Sequence, residues 1–293
     1  MINNTGSASF ASPGNQGLHT SPAGLAALAA SARQPAAHNA YLHRYAVADA
    51  GRVRTRLYLF AYAGGSAAVF RQWPAYFDDS YELVGIQLPG RGSRMLEAAE
   101  TDHRVLVRDI ADALATERQP ASFAFYGHSM GALLAHHVAL ELLRRGTGQP
   151  DCLFVSGCKP PHLARAPRRV AAMNDADFID ELRRLEGTPA ALLDNAELMQ
   201  LLLPTIKADF MLLDDWYQAL APEPCAELAL PICGMSGRRD AHCSRDDIDG
   251  WGAHTHGPLE TLEYSGGHFF LQTQEAKLVG DIRARLDMLR RGA

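Results

Sequence analysis

The sequence predicts an α/β fold in which a mostly parallel β-sheet carries helices on both faces. Short segments that are almost continuous in apolar residues alternate with longer helical segments along the chain, and this alternation is typical of parallel strands buried on both faces. A G-x-S-x-G pattern joins one of these strands to the following helix. The 293 residues suffice for one large α/β domain or for a domain with an insertion.

The predicted elements follow one another in order. Strands are predicted where apolar and aromatic residues cluster, over 41–48, 54–62, 82–88, 123–126, 151–157, 228–234 and 259–264. Helices are predicted over 67–77, 101–117, 132–143, 245–252 and 274–291.

Residues 160–224 interrupt this alternation, because they are helical and charged in character and contain no strand. Helices are predicted over 175–185 and 195–220, with a break at Pro204. An insertion at this point of an α/β sheet indicates a lid over the strand ends, where ligands bind. A peripheral helical pair without a gating role is the alternative.

Residues 1–40 are dominated by Ala, Ser, Gly, Pro and Asn and contain one charged side chain, that of Arg33. Such a composition offers too few large apolar side chains to offset the ordering entropy of the chain. We therefore predict a disordered tail over 1–40 and a folded domain over 41–293. A docking peptide for a larger assembly is the alternative for the tail.

The overall composition argues against several classes of protein. Hydrophobic residues make up 47% of the chain and charged residues 21%, as in ordinary globular proteins. The net charge of -5 gives no support for nucleic-acid binding, and no apolar segment approaches the roughly 20 residues that span a bilayer. Five scattered cysteines without a C-x-x-C pair indicate reduced thiols, and the first residues lack a signal-peptide pattern, so we expect a cytoplasmic protein.

Ser129 is the central candidate for chemistry. It lies in Gly127-His-Ser-Met-Gly131, between an apolar strand and an apolar helix, which is the context of the nucleophile elbow. The sharp turn holds the serine in strained backbone geometry, and the flanking glycines let neighbouring backbone pass close to it. The sequence thus predicts an α/β-hydrolase fold with Ser129 as the nucleophile.

A serine nucleophile needs a base and a carboxylate, and in this fold both follow the serine along the chain, acid before histidine, in loops after strands. Asp240 and His268 stand after the last two predicted strands, so we predict Asp240 as the orienting acid and His268 as the base. The competing acids and histidines have other expected places: Asp246, Asp247 and Asp249 in the next helix, His128 in support of the elbow, and His242, His254 and His256 in solvent.

Two backbone N–H groups are expected to stabilise the oxyanion of the reaction. One belongs to Met130, directly after the nucleophile, and the second is expected from Ala63 in the loop after the second predicted strand, with Gly64 as the next choice. Gly64, Gly65 and Phe269 are predicted to contact the substrate. A flexible turn is the structural alternative for this loop, and the absence of a following Lys-Ser/Thr argues against a phosphate-binding loop.

Taken together, these motifs resemble those of the type II thioesterases of nonribosomal peptide and polyketide biosynthesis. The resemblance covers residue 41 to the C-terminus and is carried by segments 59–66, 87–92, 127–131, 203–210 and 266–271 together with Trp251. Two departures are visible, since Lys207 stands where the family has arginine and the Ala/Ser-rich tail is additional.

The resemblance implies a stand-alone hydrolase that removes acyl or aminoacyl groups from the phosphopantetheine arm of carrier proteins, and so edits or unblocks a synthase of antibiotics or other secondary metabolites. It implies a triad of Ser129, Asp240 and His268. No metal and no cofactor is expected, because the phosphopantetheine belongs to the partner carrier protein. We also expect a monomer without nucleic-acid or membrane partners.

Carrier domains are commonly acidic, which suggests a role for a basic cluster near the predicted lid. We hypothesise that this cluster docks the carrier, although a solvated basic face is equally consistent with the sequence. Its members are Arg165, Arg168, Arg169, Arg183 and Arg184.

Three other functions stay open. A carboxylesterase or lipase would share the elbow and triad, a product-releasing thioesterase would hydrolyse or cyclise a full-length chain, and a non-catalytic carrier-binding protein would use the fold alone. Apolar residues of the predicted lid are candidates either for an acyl pocket or for the lid core: Leu192, Leu193, Met199, Leu202 and Met211.

Overall fold

The computed structural model describes residues 1, 38–45, 50–117, 120, 122–163, 168–185, 193–219 and 228–292. Almost all of the predicted tail therefore lies outside the described residues, as do Arg165, Leu192 and one of the five cysteines, Cys225.

Seven strands form one sheet in the order β1-β3-β2-β4-β5-β6-β7. β1 is antiparallel to β3, and every other neighbouring pair is parallel. Four interior strands, β2, β3, β5 and β6, are buried along their whole length, and β4 is buried except at its first two residues. The predicted parallel α/β sheet is therefore confirmed. The strands are β1 Leu42–Arg44, β2 Thr55–Phe60, β3 Tyr81–Ile86, β4 Ser122–His128, β5 Leu153–Ser156, β6 Ile232–Gly237 and β7 Leu259–Tyr264.

Helices connect and cover these strands. α2 packs on β4 and β5, and most of its residues are buried. α7 contributes Leu278, Val279, Ile282 and Leu286 to a core cluster that also contains side chains of β2, β3 and β4. The described helices are α1 His103–Ala115, α2 Met130–Arg144, α3 Asp175–Arg184, α4 Ala196–Ala219, α5 Arg245–Asp249, α6 Phe270–Thr273 and α7 Glu275–Gly292.

Several predicted elements differ in the structure. The strand predicted over 41–48 spans only Leu42–Arg44 within the described residues. The helix predicted over 67–77 is a pair of 3₁₀ turns, Ala67–Phe70 and Trp73–Tyr76, because Pro74 disfavours α geometry at the residue before it. The strand predicted over 228–234 begins only at β6 and extends three residues further than predicted, while Leu228 forms an isolated bridge to Thr255.

The predicted lid segment contains α3 and α4, which share a cluster of buried apolar side chains. α4 continues through Pro204, so the predicted break in this helix is wrong. Proline removes one helical hydrogen bond, but Leu203 directly before it and Ile206 two residues after it are buried in the α3–α4 cluster. Tertiary packing of this face therefore holds the helix together across the proline.

Candidate active site

Ser129 occupies the sharp turn between β4 and α2 with a strained backbone, φ 55° and ψ -118°. Its N–H donates to the carbonyl of Ser156 at 2.8 Å. A Cβ at Gly127 would lie 2.2 Å from the carbonyl oxygen of Gly131, and a Cβ at Gly131 would lie 2.2 Å from the carbonyl oxygen of Phe60. Both flanking positions thus require glycine, because backbone passes where a side chain would begin.

Asp240 and His268 lie in neighbouring loops after β6 and β7. The Nδ1–H of His268 donates to Oδ2 of Asp240 at 2.8 Å, and the Asp240 side chain is fully buried. Oδ1 of Asp240 accepts the backbone N–H groups of His242 and Cys243, at 2.8 and 3.2 Å. The backbone N–H of Arg239 donates to the carbonyl of Gly266 in the other loop at 2.8 Å, so a backbone hydrogen bond connects the two loops. This arrangement orients an imidazole with Nε2 turned away from the carboxylate.

A cavity of about 70 Å³ brings several predicted residues together. Ser129, Ala63, His268 and Phe269 all line it, and Met130 begins the helix directly after the serine. The Phe269 ring packs edge-on against Tyr62, with centroids 4.8 Å apart. Gly64 and Gly65 instead line a separate groove on the loop, where their predicted substrate contacts would have to be made.

The loop after β2 presents Ala63 in a tight turn. The N–H of Gly65 donates to the carbonyl of Tyr62 at 2.8 Å, and Gly64 adopts the left-handed φ of 78° that this turn requires. The Gly64 N–H donates to Oδ2 of Asp209 at 2.6 Å, so it is not available to an oxyanion. Within the described residues, the N–H groups of Ala63 and Met130 have no acceptor, as an oxyanion hole requires.

Asp209 links this loop to α4. Its carboxylate accepts two hydrogen bonds from Arg91, at 2.6 and 2.7 Å, in addition to the one from Gly64. Both side chains of this ion pair are buried. Burial raises the pKa of Asp209, whereas the Arg91 guanidinium acts to lower it. Neither member of this pair was predicted as a site residue, although both lie in segments that carry the family resemblance.

The inserted helical segment borders the cavity mainly through one stripe of α4. Four residues at intervals of four, three and four positions line it: Ile206, Phe210, Leu213 and Tyr217. This spacing places them on one helix face. The apolar periodicity of this segment could therefore have indicated these four residues, which were not predicted to line the site. Of the predicted pocket candidates, the described ones belong instead to the α3–α4 cluster: Leu193, Met199, Leu202 and Met211.

Other histidines occupy places that partly differ from the prediction. His256 is exposed, but His254 is buried and His242 is half-buried and lines the cavity. His254 packs its ring against those of Trp251 and His136. The elbow residue His128 is fully buried, with Nδ1 2.9 Å from Oγ of Ser156, and burial lowers its pKa well below the usual value, as does the charge of His268.

His136 leads to a prediction about stability and pH. It is almost fully buried, neither ring nitrogen has a hydrogen-bond partner within the described residues, and burial lowers its pKa well below 6.5. Burial likewise lowers the pKa of His137 to about 4. In the unfolded chain these groups protonate near pH 6.5, so the unfolded state binds more protons below that pH. The unfolding free energy should therefore be constant above about pH 7 and fall as the pH drops from 6.5 toward 5.

Denaturant titrations between pH 7.5 and 5, where most carboxylates stay ionised, measure this dependence. The variant His136→Leu should show a shallower decline than the wild type, whereas the exposed His256→Asn should reproduce the wild-type slope. Equal slopes for all three proteins would contradict the prediction.

The basic cluster does not form a single open surface. Arg168 lines the active-site cavity. Its Nε lies 3.4 Å from Oε1 of Glu181, and its guanidinium packs over the Phe210 ring. Arg183 pairs with Asp180 and Asp194, and the exposed Arg184 lies 3.4 Å from Glu181. Fewer exposed arginines than the sequence suggests are therefore available to dock a carrier protein.

Within the described residues, three side chains near the start of α1 place possible metal-ligand atoms within 4.8 Å of one another: Asp102, His103 and Asp215. None of them lines the cavity. The four described cysteines are buried. No described helix has the length and hydropathy needed to cross a bilayer.

The family model for the thioesterase domain matches residues 55–286. Linear gramicidin dehydrogenase LgrE of Brevibacillus parabrevis is 34% identical over 233 residues, which are 78% of this chain and 87% of LgrE. The solved structure of RedJ, a thioesterase from the prodiginine pathway of Streptomyces coelicolor, has a TM-score of 0.73 and 32% identity, covering 85% of this chain and 95% of RedJ. YbtT, a type II thioesterase from the yersiniabactin pathway, has a TM-score of 0.73 and 28% identity, covering 85% of this chain and 99% of YbtT.

The matched region contains the whole sheet apart from its edge strand β1, and it includes the elbow and both loops that follow β6 and β7. The predicted resemblance to thioesterases is thereby confirmed. The chain belongs to the thioesterase domain family of α/β-hydrolases, together with the type II thioesterases of nonribosomal peptide and polyketide pathways.

Proposed function

We propose that this protein is a stand-alone thioesterase that hydrolyses acyl or aminoacyl thioesters on the phosphopantetheine arm of carrier proteins, and so unblocks a nonribosomal peptide or polyketide synthase. The observation that carries this proposal is one cavity lined by a serine in a strained elbow and by a histidine paired with a buried aspartate. Such a constellation supports acyl transfer through a covalent intermediate.

In the acylation step, Nε2 of His268 takes the hydroxyl proton of Ser129 as Oγ attacks the thioester carbonyl carbon. The carbonyl oxygen becomes an oxyanion that the N–H groups of Ala63 and Met130 stabilise. The tetrahedral intermediate collapses, the carbon–sulfur bond breaks, and His268 gives its proton to the leaving thiolate. Asp240 holds the imidazole in the required tautomer and stabilises its charged form.

In the deacylation step, His268 takes a proton from water, and the resulting hydroxide equivalent attacks the acyl–Ser129 ester. The second tetrahedral intermediate collapses to a carboxylic acid, and the proton held by His268 returns to Oγ of Ser129. Both half-reactions use the same two donors and the same base.

The size of the cavity supports a short acyl group. Its volume of about 70 Å³ is about half of the roughly 150 Å³ that accepts a benzene molecule in an engineered protein cavity. Apolar side chains of α4, among them Ile206 and Leu213, would contact the acyl carbon atoms.

We propose that α3 and α4 form a lid over this pocket and that the tail over 1–40 is separate from the catalytic domain over 41–293.

A panel of carrier proteins loaded with acyl groups, from acetyl to long-chain and aminoacyl, tests the proposal. Release of acetyl and propionyl groups should be fastest, measured as the free acid by mass spectrometry. The thioester should also have a higher kcat/KM than the matched oxygen ester. A preference for oxygen esters would favour a carboxylesterase, and cyclised products would favour a product-releasing enzyme.

The name of LgrE raises hydride transfer as another activity, but no feature of this chain favours it. The G-x-G-x-x-G pattern of dinucleotide-binding folds follows the first strand of such folds. Here the loop after β2 has Gly64 and Gly65, whereas Ser66 and Val69 stand where that pattern would continue with glycine.

A further inference from the structure

The proposed reaction fixes the side from which the phosphopantetheine arm reaches the site. His268 must pass its proton to the sulfur as the carbon–sulfur bond breaks, so the sulfur lies against the imidazole. The acyl group occupies the cavity beneath α4. The arm attached to the sulfur must therefore leave the cavity past His268.

A groove of about 420 Å³ begins at this imidazole. His268 and Phe269 line both the groove and the catalytic cavity, as do His242 in the loop after β6 and Leu185 directly after α3. The groove is thus continuous with the cavity at the position of the leaving group. Its walls are the two loops after β6 and β7 and the C-terminal end of α3.

Two arginines line this groove. Arg239 is exposed, and its guanidinium has no carboxylate partner within the part of the chain that the structure describes. Arg184, on the α3 side, is 73% exposed at its side chain and lies 3.4 Å from Glu181. The neighbouring Arg238 differs from both, because it pairs with Glu263 at 2.8 Å and does not line the groove.

These positions suit one part of the proposed substrate. The phosphopantetheine arm ends in a phosphodiester where it joins the carrier, and this group is the only charge along the arm. A guanidinium matches the geometry of phosphate oxygens with two parallel N–H donors. The chain has a net charge of -5, so its surface is not generally basic. A basic surface therefore does not explain why Arg239, which has no carboxylate partner among the described residues, lines this groove.

We propose that this groove binds the phosphopantetheine arm and that Arg239, with Arg184 opposite, binds its phosphodiester. The inference rests on the proposed function. The proposed contact is with the arm itself, which every carrier protein has, and not with the surface of one particular carrier protein.

Three thioesters of the same acyl group separate this contact from catalysis: acyl-4′-phosphopantetheine, acyl-pantetheine without the phosphate, and acyl-N-acetylcysteamine. The measured quantity is the ratio of kcat/KM for the phosphorylated substrate to kcat/KM for acyl-pantetheine. Charge reversal in Arg239→Glu should lower this ratio by about fivefold to tenfold, because it removes an exposed ion pair and adds repulsion between like charges. The matched variant Arg238→Glu should leave the ratio unchanged.

Raising the ionic strength should lower the ratio for the wild type and have little effect on it for Arg239→Glu. An unchanged ratio in Arg239→Glu, or an equal change in Arg238→Glu, would overturn the proposal. Thermal melting of both variants checks that the exposed substitutions leave the fold intact. If the wild type hydrolysed none of the three thioesters, the proposed function itself would be refuted. The two failures are therefore distinguishable.

Discussion

Replacing Ser129 with alanine is expected to lower kcat for an acyl-carrier thioester by about 10⁵-fold to 10⁶-fold, as the loss of a triad serine does in other serine hydrolases. Without Oγ no acyl-enzyme forms, and only the oxyanion donors and the bound water remain. The substitution removes one oxygen atom from a turn whose geometry depends on its glycines and backbone hydrogen bonds. The fold should therefore be unaffected, and a thermal melt should show it.

The variant Ser80→Ala is the matched control, because Ser80 lies at the N-terminal end of β3, whereas Ser129 lies at the C-terminal end of the parallel strand β4. It should retain wild-type kcat. A fluorophosphonate probe should add one adduct to the wild type and to Ser80→Ala, and none to Ser129→Ala. Hydrolysis at the wild-type rate by purified Ser129→Ala would show that the nucleophile has been assigned to the wrong residue.

The second large effect is expected for Asp209→Asn. The substitution leaves Arg91 as an uncompensated buried charge, which typically costs about 3–5 kcal/mol of unfolding free energy. It also weakens the acceptor of the Gly64 N–H, so the turn that presents Ala63 loses its anchor. A displacement of an oxyanion donor by about 1 Å can lower kcat by roughly a hundredfold. Denaturant titration and kcat, measured well below the melting temperature, report the two effects separately.

Two further variants separate stability from positioning. Lys207 lies on the same helix as Asp209, and Lys207→Met breaks its partly exposed ion pair with Asp175 of α3. This loss should cost at most about 1 kcal/mol. The double variant Arg91→Met with Asp209→Leu should recover most of the lost stability, because apolar pairs often replace buried ion pairs without loss. Its kcat should stay low, since leucine offers no acceptor to Gly64. Recovery of kcat in the double variant would mean that the loop needs no anchor.

The sequence was sufficient where the information is local. Apolar segments indicated the strands, and the elbow, Asp240 and His268 could be located because each lies in the loop or turn that follows a strand. Parallel strands end at one edge of a sheet, so the order of the motifs along the chain already implied that their side chains would lie near one another. The structure pairs His268 with Asp240 and places Ser129 in the same cavity, while their catalytic roles stay predictions.

What the sequence did not reveal depends on contacts between distant segments. Arg91 and Asp209 are 118 positions apart, and the sequence around each residue does not indicate that the two form an ion pair. The buried His254 could not be told from an exposed histidine, because its burial comes from ring packing against helix α2 and Trp251. Pro204 was expected to end a helix that tertiary packing continues. In each case the deciding energy belongs to packing, which composition and spacing do not report.

The order of the strands fixes the handedness of the proposed tetrahedral intermediate. β4, which carries the serine, lies between β2 on one side and β6 and β7 on the other. The oxygen of the substrate carbonyl must therefore point toward the β2 loop and its sulfur toward the β7 loop, while the acyl chain extends beneath α4. With serine oxygen as the fourth substituent, the reacting carbon is a stereocentre of a single configuration. The enzyme would thus attack one prochiral face of every thioester, whatever acyl group it carries.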